Sequence, residues 1–133
     1  MFLELDLQSD VPIYTQIAQQ IIEGIASGVL QPGDPLPSVR SLASDLSINL
    51  HTVNKAYQAL KQEGFLQVHR KRGVIVTPDG MPRVSESFLD SMHLQLRSLA
   101  AEAIVRGMTE KEFADACIAI YRRDLTKKGD YLE

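Results

Sequence analysis

The fold is decided by residues 36–64, LPSVRSLASDLSINLHTVNKAYQALKQEG. Apolar residues recur there at helical spacing in two short runs, which are Val39, Leu42, Ala43 and Leu46, and then Val53, Ala56, Tyr57 and Leu60. Only residues 47–49 lie at the break between the helices. The pattern predicts two short helices joined by a tight turn, which is the form of a helix-turn-helix. An ordinary helical hairpin in a small core is an equally good interpretation of this stretch alone.

Three residues mark the ends of these predicted helices. Ser38 and Asn49 are good N-caps because a side-chain oxygen can accept a hydrogen bond from a free backbone N–H. Gly64 suits the left-handed conformation that often follows a helix. In a helix-turn-helix the start of the second helix enters the DNA major groove. The exposed residues there would be Leu50, His51, Thr52, Asn54 and Lys55.

The start of the first helix is a second candidate for DNA contact. Its free N–H groups, next to Ser38, suit a phosphate. Arg40 is a candidate phosphate or guanine contact, and a surface salt bridge to a nearby acid is the equally weighted alternative.

Two β-rich runs, residues 65–68 and 74–77, predict a hairpin directly after the second helix. The residues between them are His69, Arg70, Lys71, Arg72 and Gly73, and the glycine suits a hairpin turn. A hairpin in this place is a wing. Three adjacent cations repel one another and do little for folding, so DNA phosphates explain them better than chance does.

A helix is predicted upstream, from near Pro12 to Ser27 and Gly28, and it would complete the core. Its inward residues would be Tyr14, Ile17, Ile21, Ile22 and Ile25, and its solvent side would carry Gln16, Gln19, Gln20 and Glu23. Before this helix, the alternation of residues 2–7 predicts a short strand. After it, the three prolines and one glycine of residues 30–37 predict an ordered loop with Leu30 and Leu36 turned inward.

Composition indicates a globular chain of 133 residues, with 44% hydrophobic and 23% charged residues. The net charge is −3, but residues 38–77 carry +4 and the remainder −7, which permits a local DNA-binding face. No secretion signal or membrane-length apolar run is apparent, so we expect a cytoplasmic protein without membrane contact. Cys117 is the only cysteine and is expected to be a small buried hydrophobe. His51, His69 and His93 lie on different predicted elements, so we expect no metal, no cofactor and no catalysis.

The C-terminal part predicts two more helices. Residues Leu89, Met92, Leu96, Leu99 and Ala103 have the spacing of a helix-packing seam. A second helix should begin at a capping box of Thr109 and Glu112. Its inward residues would be Phe113, Ala116, Cys117, Ile120 and Tyr121. Two helices of this length cannot bury both apolar faces alone, so we expect pairing with a second copy; folding back on the same chain is the alternative.

Residues 11–77 resemble the GntR family of bacterial transcription regulators, and most closely its YtrA-type subfamily. The resemblance lies in Pro12-Ile13-Tyr14-x-Gln16-Ile17, Pro32-Gly33-Asp34-x-Leu36-Pro37-Ser38-Val39-Arg40 and Asn49-x-x-Thr52-Val53-x-Lys55-Ala56-Tyr57, and it ends at Gly73. Leu50 stands where the subfamily often has proline, and Lys71 stands where a glycine is common.

The resemblance implies a dimeric winged-helix repressor of a palindromic operator, and such regulators often control transporter genes. It places Ser38, Arg40, Asn49, His51, Thr52 and Lys55 on the DNA face and Arg70 to Gly73 in the wing. The expected fold is mainly α with a small β-hairpin. A winged helix-turn-helix at 1–78 and a linker at 79–83 would precede a two-helix dimerisation region at 84–133. A winged helix that binds another protein is the alternative function.

Overall fold

The computed structural model describes residues 3–126. The chain divides after Pro82 into two compact units. The first contains α1 (Ile13–Ser27), α2 (Val39–Leu46), α3 (Leu50–Glu63), β1 (Leu66–His69) and β2 (Gly73–Val76), and the second contains α4 (Glu86–Val105), α5 (Glu110–Ala119) and a π-helical segment, Ile120–Leu125. The predicted fold class, mainly α with a small hairpin in a winged helix-turn-helix, is confirmed.

The core of the first unit forms around α3. Both α1 and α2 pack against α3, and β1 follows directly and lies against it. The side chains that are almost fully buried are Ile17, Ile21, Leu42, Val53, Leu66, Ile75 and Val76. Each such aliphatic side chain contributes about 1.5–3 kcal/mol on burial. The predicted apolar face of α3 is therefore the centre of the core.

Polar caps set the helix limits where the sequence predicts them. The Ser38 hydroxyl accepts a hydrogen bond from the backbone N–H of Ser41 at 3.0 Å. The Asn49 side chain accepts one from the N–H of His51 at 2.7 Å. Gly64 ends α3 with a φ of 94°, a left-handed conformation that costs glycine little.

The predicted loop at 30–37 is ordered and also extends the small sheet. Pro35 forms an isolated bridge with Ile75 of β2. The backbone N–H of Gly33 donates to Val76, and that of Leu36 donates to Val74, both at 2.9 Å. Leu36 is buried and Leu30 is half-buried, as predicted. The sequence conceals this pairing because the prolines of the segment argue against a strand.

The predicted strand at residues 2–7 is wrong for its described part, residues 3–7; Phe2 lies outside the described residues. The segment is instead bonded by two side chains of α1. The Gln20 amide accepts from the N–H of Glu4 at 2.9 Å and donates to its carbonyl at 2.7 Å. The Gln16 amide does the same for Asp6, at 2.8 and 2.9 Å. The two glutamine amides therefore make the backbone hydrogen bonds that a neighbouring strand would make.

This arrangement corrects two assignments on α1. Gln16 was expected to face solvent, but it is buried, and its amide satisfies three backbone groups, including the carbonyl of Val11. Ile22 was expected to face inward, but it is 38% exposed. The buried stripe is centred on Ile17 and Ile21, and Ile22 lies about 100° around the helix from Ile21.

The second unit keeps its apolar side chains on its own surface. The predicted capping box is present: Thr109 N–H donates to the Glu112 carboxylate at 2.8 Å, and Glu112 N–H donates to the Thr109 hydroxyl at 3.1 Å. No residue of α4 or α5 is buried. Cys117 is exposed in the single chain, contrary to the prediction, because two helices provide no further layer to cover it. Residues 127–133 of the predicted dimerisation region lie outside the described residues.

We expect Gln16→Ala to lower the free energy of unfolding by about 2 kcal/mol, since it removes three part-buried hydrogen bonds to backbone groups of Asp6 and Val11. Gln19→Ala is the matched control, because Gln19 is the same residue type on the exposed side of α1. Urea unfolding measures both. Equal stability of the two variants would contradict the role given to Gln16.

Candidate nucleic-acid interface

The turn of the helix-turn-helix is held by backbone geometry. Ser47 ends α2 with a φ of 55°, a left-handed value that is uncommon for a residue other than glycine. The N–H of Ile48 donates to the carbonyl of Ala43 at 3.0 Å, and the Ile48 side chain packs against the core. The chain therefore passes from α2 to α3 within the three residues 47–49, and α3 starts at Leu50.

Tyr57 connects α3 with the start of α2. Its hydroxyl donates to the carbonyl of Pro37, the residue before the cap Ser38, at 2.8 Å. The ring is 4% exposed, and burial raises the pKa of Tyr57 to about 12. This part-buried bond fixes the start of α2, with its free N–H groups, relative to α3.

The predicted reading residues lie on the outer face of α3. His51, Asn54 and Lys55 are exposed and Thr52 is half-buried, whereas Val53 and Ala56 are fully buried on the inner face. Leu50 is 37% exposed at the first position of the helix. The helical period thus gives one helix an apolar inner face and a polar outer face.

Lys55 has a neighbour that sequence reasoning missed. Its ammonium lies 4.0 Å from the centre of the Tyr14 ring, so a cation–π contact joins α1 and α3. Tyr14 was predicted only as an inward residue of α1, and the structure makes it half-buried. No spacing rule relates positions 14 and 55, because the two helices meet only in the folded chain.

The cations of residues 38–77 have no carboxylate partner among the described residues. The ion pairs of residues 3–126 are Arg106 with Glu102 and Lys111 with Asp115, both in the second unit. Arg40 is exposed, and the salt bridge considered for it is not present in this part of the chain. Its guanidinium is available for a nucleic-acid contact.

The wing hairpin spans residues 66–76, which is one residue shorter at each end than the predicted span of residues 65–77. Leu66 pairs with Val76 and His69 with Gly73, which leaves Arg70, Lys71 and Arg72 as the turn. Gly73 follows with a φ of 75°, a left-handed value typical of a glycine after a three-residue hairpin turn. Arg70 and Lys71 are exposed at the tip.

Arg72 differs from its two neighbours in the turn. Its guanidinium donates a hydrogen bond to the carbonyl of Gly33, in the loop that extends the sheet. Arg72 therefore ties the wing to that loop, while its other N–H groups remain available. Sequence reasoning missed this role, since the two positions are 39 residues apart.

Other kinds of site lack residues in the described part of the chain. Residues 3–126 contain no group of three His, Cys, Asp or Glu side chains that could hold a metal ion. His51, His69 and His93 lie on α3, β1 and α4 respectively. Within the same residues, no helix is long and apolar enough to cross a membrane.

The chain is similar to bacterial regulators over most of its length. Residues 13–76 match the family described as bacterial regulatory proteins, gntR family. The HTH-type transcriptional repressor YtrA of Bacillus subtilis is 37% identical over 106 residues, which are 80% of this chain and 82% of that protein.

Two solved structures resemble the fold. A transcriptional antiterminator from Listeria monocytogenes EGD-e has a TM-score of 0.84 at 27% identity and covers 94% of this chain and 92% of its own. YtrA from Sulfolobus acidocaldarius, a GntR-family transcription factor, has a TM-score of 0.55 at 43% identity and covers 88% and 94%.

The matched family and its relatives, together with the fold, define a DNA-binding regulator of transcription and not an enzyme. The chain belongs to the GntR family, which confirms the resemblance drawn from its sequence.

We expect Tyr57→Phe to lower the free energy of unfolding by about 1 kcal/mol at neutral pH, because the carbonyl of Pro37 loses its partner. The raised pKa of Tyr57 favours the folded state below pH 10, and this contribution is lost as pH rises from 10 to about 12. The stability difference between wild type and variant should therefore narrow above pH 10. Urea unfolding of both proteins at pH 7 and across pH 9–12 tests this, and a constant difference would contradict it.

Proposed function

We propose that the chain is a homodimeric transcriptional repressor that binds a palindromic DNA operator, with the start of α3 in the major groove. The observation that carries the proposal is the exposed polar face of α3 beside a wing whose tip cations have no carboxylate partner in residues 3–126. Such a surface suits DNA, because DNA combines a charged phosphate backbone with base edges that polar side chains can recognise. The proposed place of action is the cytoplasm.

The proposed contacts divide into two kinds. Side chains near the start of α3 would read base edges, and these are His51, Thr52 and Asn54. Groups at helix starts, one lysine further along α3 and the wing residues would bind the DNA backbone, and these are Ser38, Arg40, Asn49, Lys55, Arg70, Lys71, Arg72 and Gly73. The Gly73 position lacks a side chain, which lets the backbone approach the nucleic acid closely.

A DNA partner fits this surface better than a protein partner does. Protein interfaces are depleted of lysine and enriched in large apolar or aromatic residues. The outer face of α3 carries His51, Asn54 and Lys55, and its large apolar exposure is confined to Leu50. An outer face of α3 poor in lysine and rich in large apolar or aromatic residues would favour the alternative, a winged helix that binds another protein.

Binding to duplex DNA should depend steeply on salt, because several phosphates are neutralised in each half-site. We expect the double variant Arg70→Ala, Lys71→Ala to weaken binding to all sequences alike and to flatten the salt dependence. Gel-shift titration over a salt series, with duplexes selected from a random pool, measures both effects.

Thr52→Ala is the matched helix variant for this experiment. It should change which sequence is preferred and leave the salt slope close to that of wild type. A flat slope together with sequence-independent binding by wild type would refute the proposal. A wing variant that changed base preference would reverse the two roles.

The proposed dimer uses the apolar surface of the second unit. Leu89, Met92, Leu96 and Leu99 are 40–60% exposed in the single chain, and Ala103 and Phe113 are half-buried. Cys117, Ile120 and Tyr121 are exposed on α5 and the segment after it. Leucine and methionine in an unbroken helical stripe are better explained by a partner than by water. A second copy of the chain is the proposed partner, since the two half-sites of a palindromic operator require two DNA-binding domains.

We expect Leu96→Glu to convert the dimer to a monomer, because it places a charge in the centre of the proposed seam. Leu94→Glu is the matched control: Leu94 is 70% exposed and lies outside the seam, so this variant should remain dimeric. Analytical ultracentrifugation measures the mass of each. A monomeric wild type, or two variants with the same mass as wild type, would contradict the proposed seam.

The proposed direction of control rests on a relative, and the proposed target class rests on the family resemblance. The Bacillus subtilis relative is named a repressor, which supports repression by this chain. Transporter genes are the proposed targets. Protection from cleavage, by this protein, of an inverted repeat upstream of a transporter gene would support that proposal. The proposed regions remain a DNA-binding domain at 1–78, a linker at 79–83 and a dimerisation region at 84–133.

A further inference from the structure

One large apolar side chain is exposed at the start of α3, beside the polar outer face of that helix. Leu50 is 37% exposed at the first helical position, and the exposed residues next to it on α3 are His51, Asn54 and Lys55. The contacts proposed above give each of these polar residues a base or a phosphate to bind. They give Leu50 no partner.

The core of the first unit does not account for Leu50. Ile48, two residues earlier, packs against the buried cluster, and Val53, three residues later, is completely buried. Leu50 belongs neither to that cluster nor to the half-buried side chains around it. It also takes no part in the helix cap, where the Asn49 side chain accepts from the N–H of His51. The exposed surface of Leu50 is therefore available to a ligand.

Leu50 and Asn54 lie next to each other along α3. They are four residues apart, so one turn of the helix places both side chains on the same side. An asparagine amide can bind the major-groove edge of adenine with two hydrogen bonds. A base contact by Asn54 would therefore bring the Leu50 side chain against the edge of a neighbouring base pair.

The chemistry of the base edges narrows the partner of Leu50 to one group. A leucine side chain has no donor and no acceptor, so a polar base edge packed against it would lose water without gaining a hydrogen bond. In the major groove the apolar group that a base presents is the 5-methyl group of thymine. Cytosine presents an amino donor instead, which leucine would leave unpaired.

We propose that Leu50 recognises the methyl group of one thymine in each half-site of the operator. The contact favours thymine by burying two apolar groups together, and it disfavours cytosine by leaving the amino donor without a partner. This inference rests on the proposed function, since α3 must first lie in the major groove. It makes Leu50 a specificity-determining residue beside His51, Thr52 and Asn54.

The test replaces single thymines by deoxyuridine in the duplex that wild type selects from a random pool. Deoxyuridine lacks only the methyl group and keeps every hydrogen-bonding group of thymine. At one position in each half-site the replacement should weaken wild-type binding about fourfold, the effect of exposing one buried methyl group. Leu50→Ala should bind the thymine and deoxyuridine duplexes almost equally at that position, because its shorter side chain does not reach the methyl group.

Leu94→Ala is the matched control, because it makes the same truncation at an exposed leucine of the second unit. It should keep the fourfold difference at the same position as wild type. Gel-shift titration at a single salt concentration measures all the affinities. Thermal unfolding verifies that each variant retains its fold.

The outcomes separate this inference from the proposed function. If wild type senses no thymine methyl group, or if Leu50→Ala senses the same one as strongly as wild type, the inference is overturned and the proposed function stands. A leucine packed against a sugar of the DNA backbone would give the first of these results, and the scan of wild type detects it whatever the stability of the variant. If wild type selects no duplex from the pool, the proposed function fails and the inference fails with it.

Discussion

The first unit depends on the burial of one face of α3. Val53 and Ala56 are completely buried, and Tyr57 and Leu60 nearly so, against α1, α2 and β1. Because the helix has one inner face, its outer face is presented to solvent as a rigid surface, and the residues proposed to read DNA lie there. A loop could not hold side chains with the same precision. The position of the reading face is thus a consequence of core packing.

The small wing sheet and the extended N-terminal segment are both held by contacts outside regular secondary structure. A two-stranded hairpin is marginal in water, and here the loop at 30–37 adds a bridge to β2 while Arg72 bonds to Gly33. In the same unit, Gln16 and Gln20 of α1 bond to the extended N-terminal segment as a strand would. These bonds attach the N-terminal segment to α1 and the loop at 30–37 to the wing.

Much of the site was predictable from residue types at short range. The caps Ser38 and Asn49, the stop at Gly64 and the glycine of the wing turn act within a few residues of their own position, so local rules identify them. The buried and exposed faces of α1 were predicted less well. Whether Ile22 and Gln16 are buried depends on which segments pack over the helix and not on the hydrophobicity of the helix itself. The contacts of Arg72 with Gly33 and of Lys55 with Tyr14 span about forty positions, and no local pattern encodes them.

The family, the two helices of the reading motif and the polar composition of the outer face of α3 can all be predicted from the amino-acid sequence. Those properties follow from helical periodicity and capping, which act between near neighbours. The folded chain is needed to see that Gln16 is buried, that Arg72 bonds to the loop as well as forming the wing turn, and that Lys55 contacts the Tyr14 ring. The physical reason is that these side chains obtain their partners from segments brought together by burial of the α3 face.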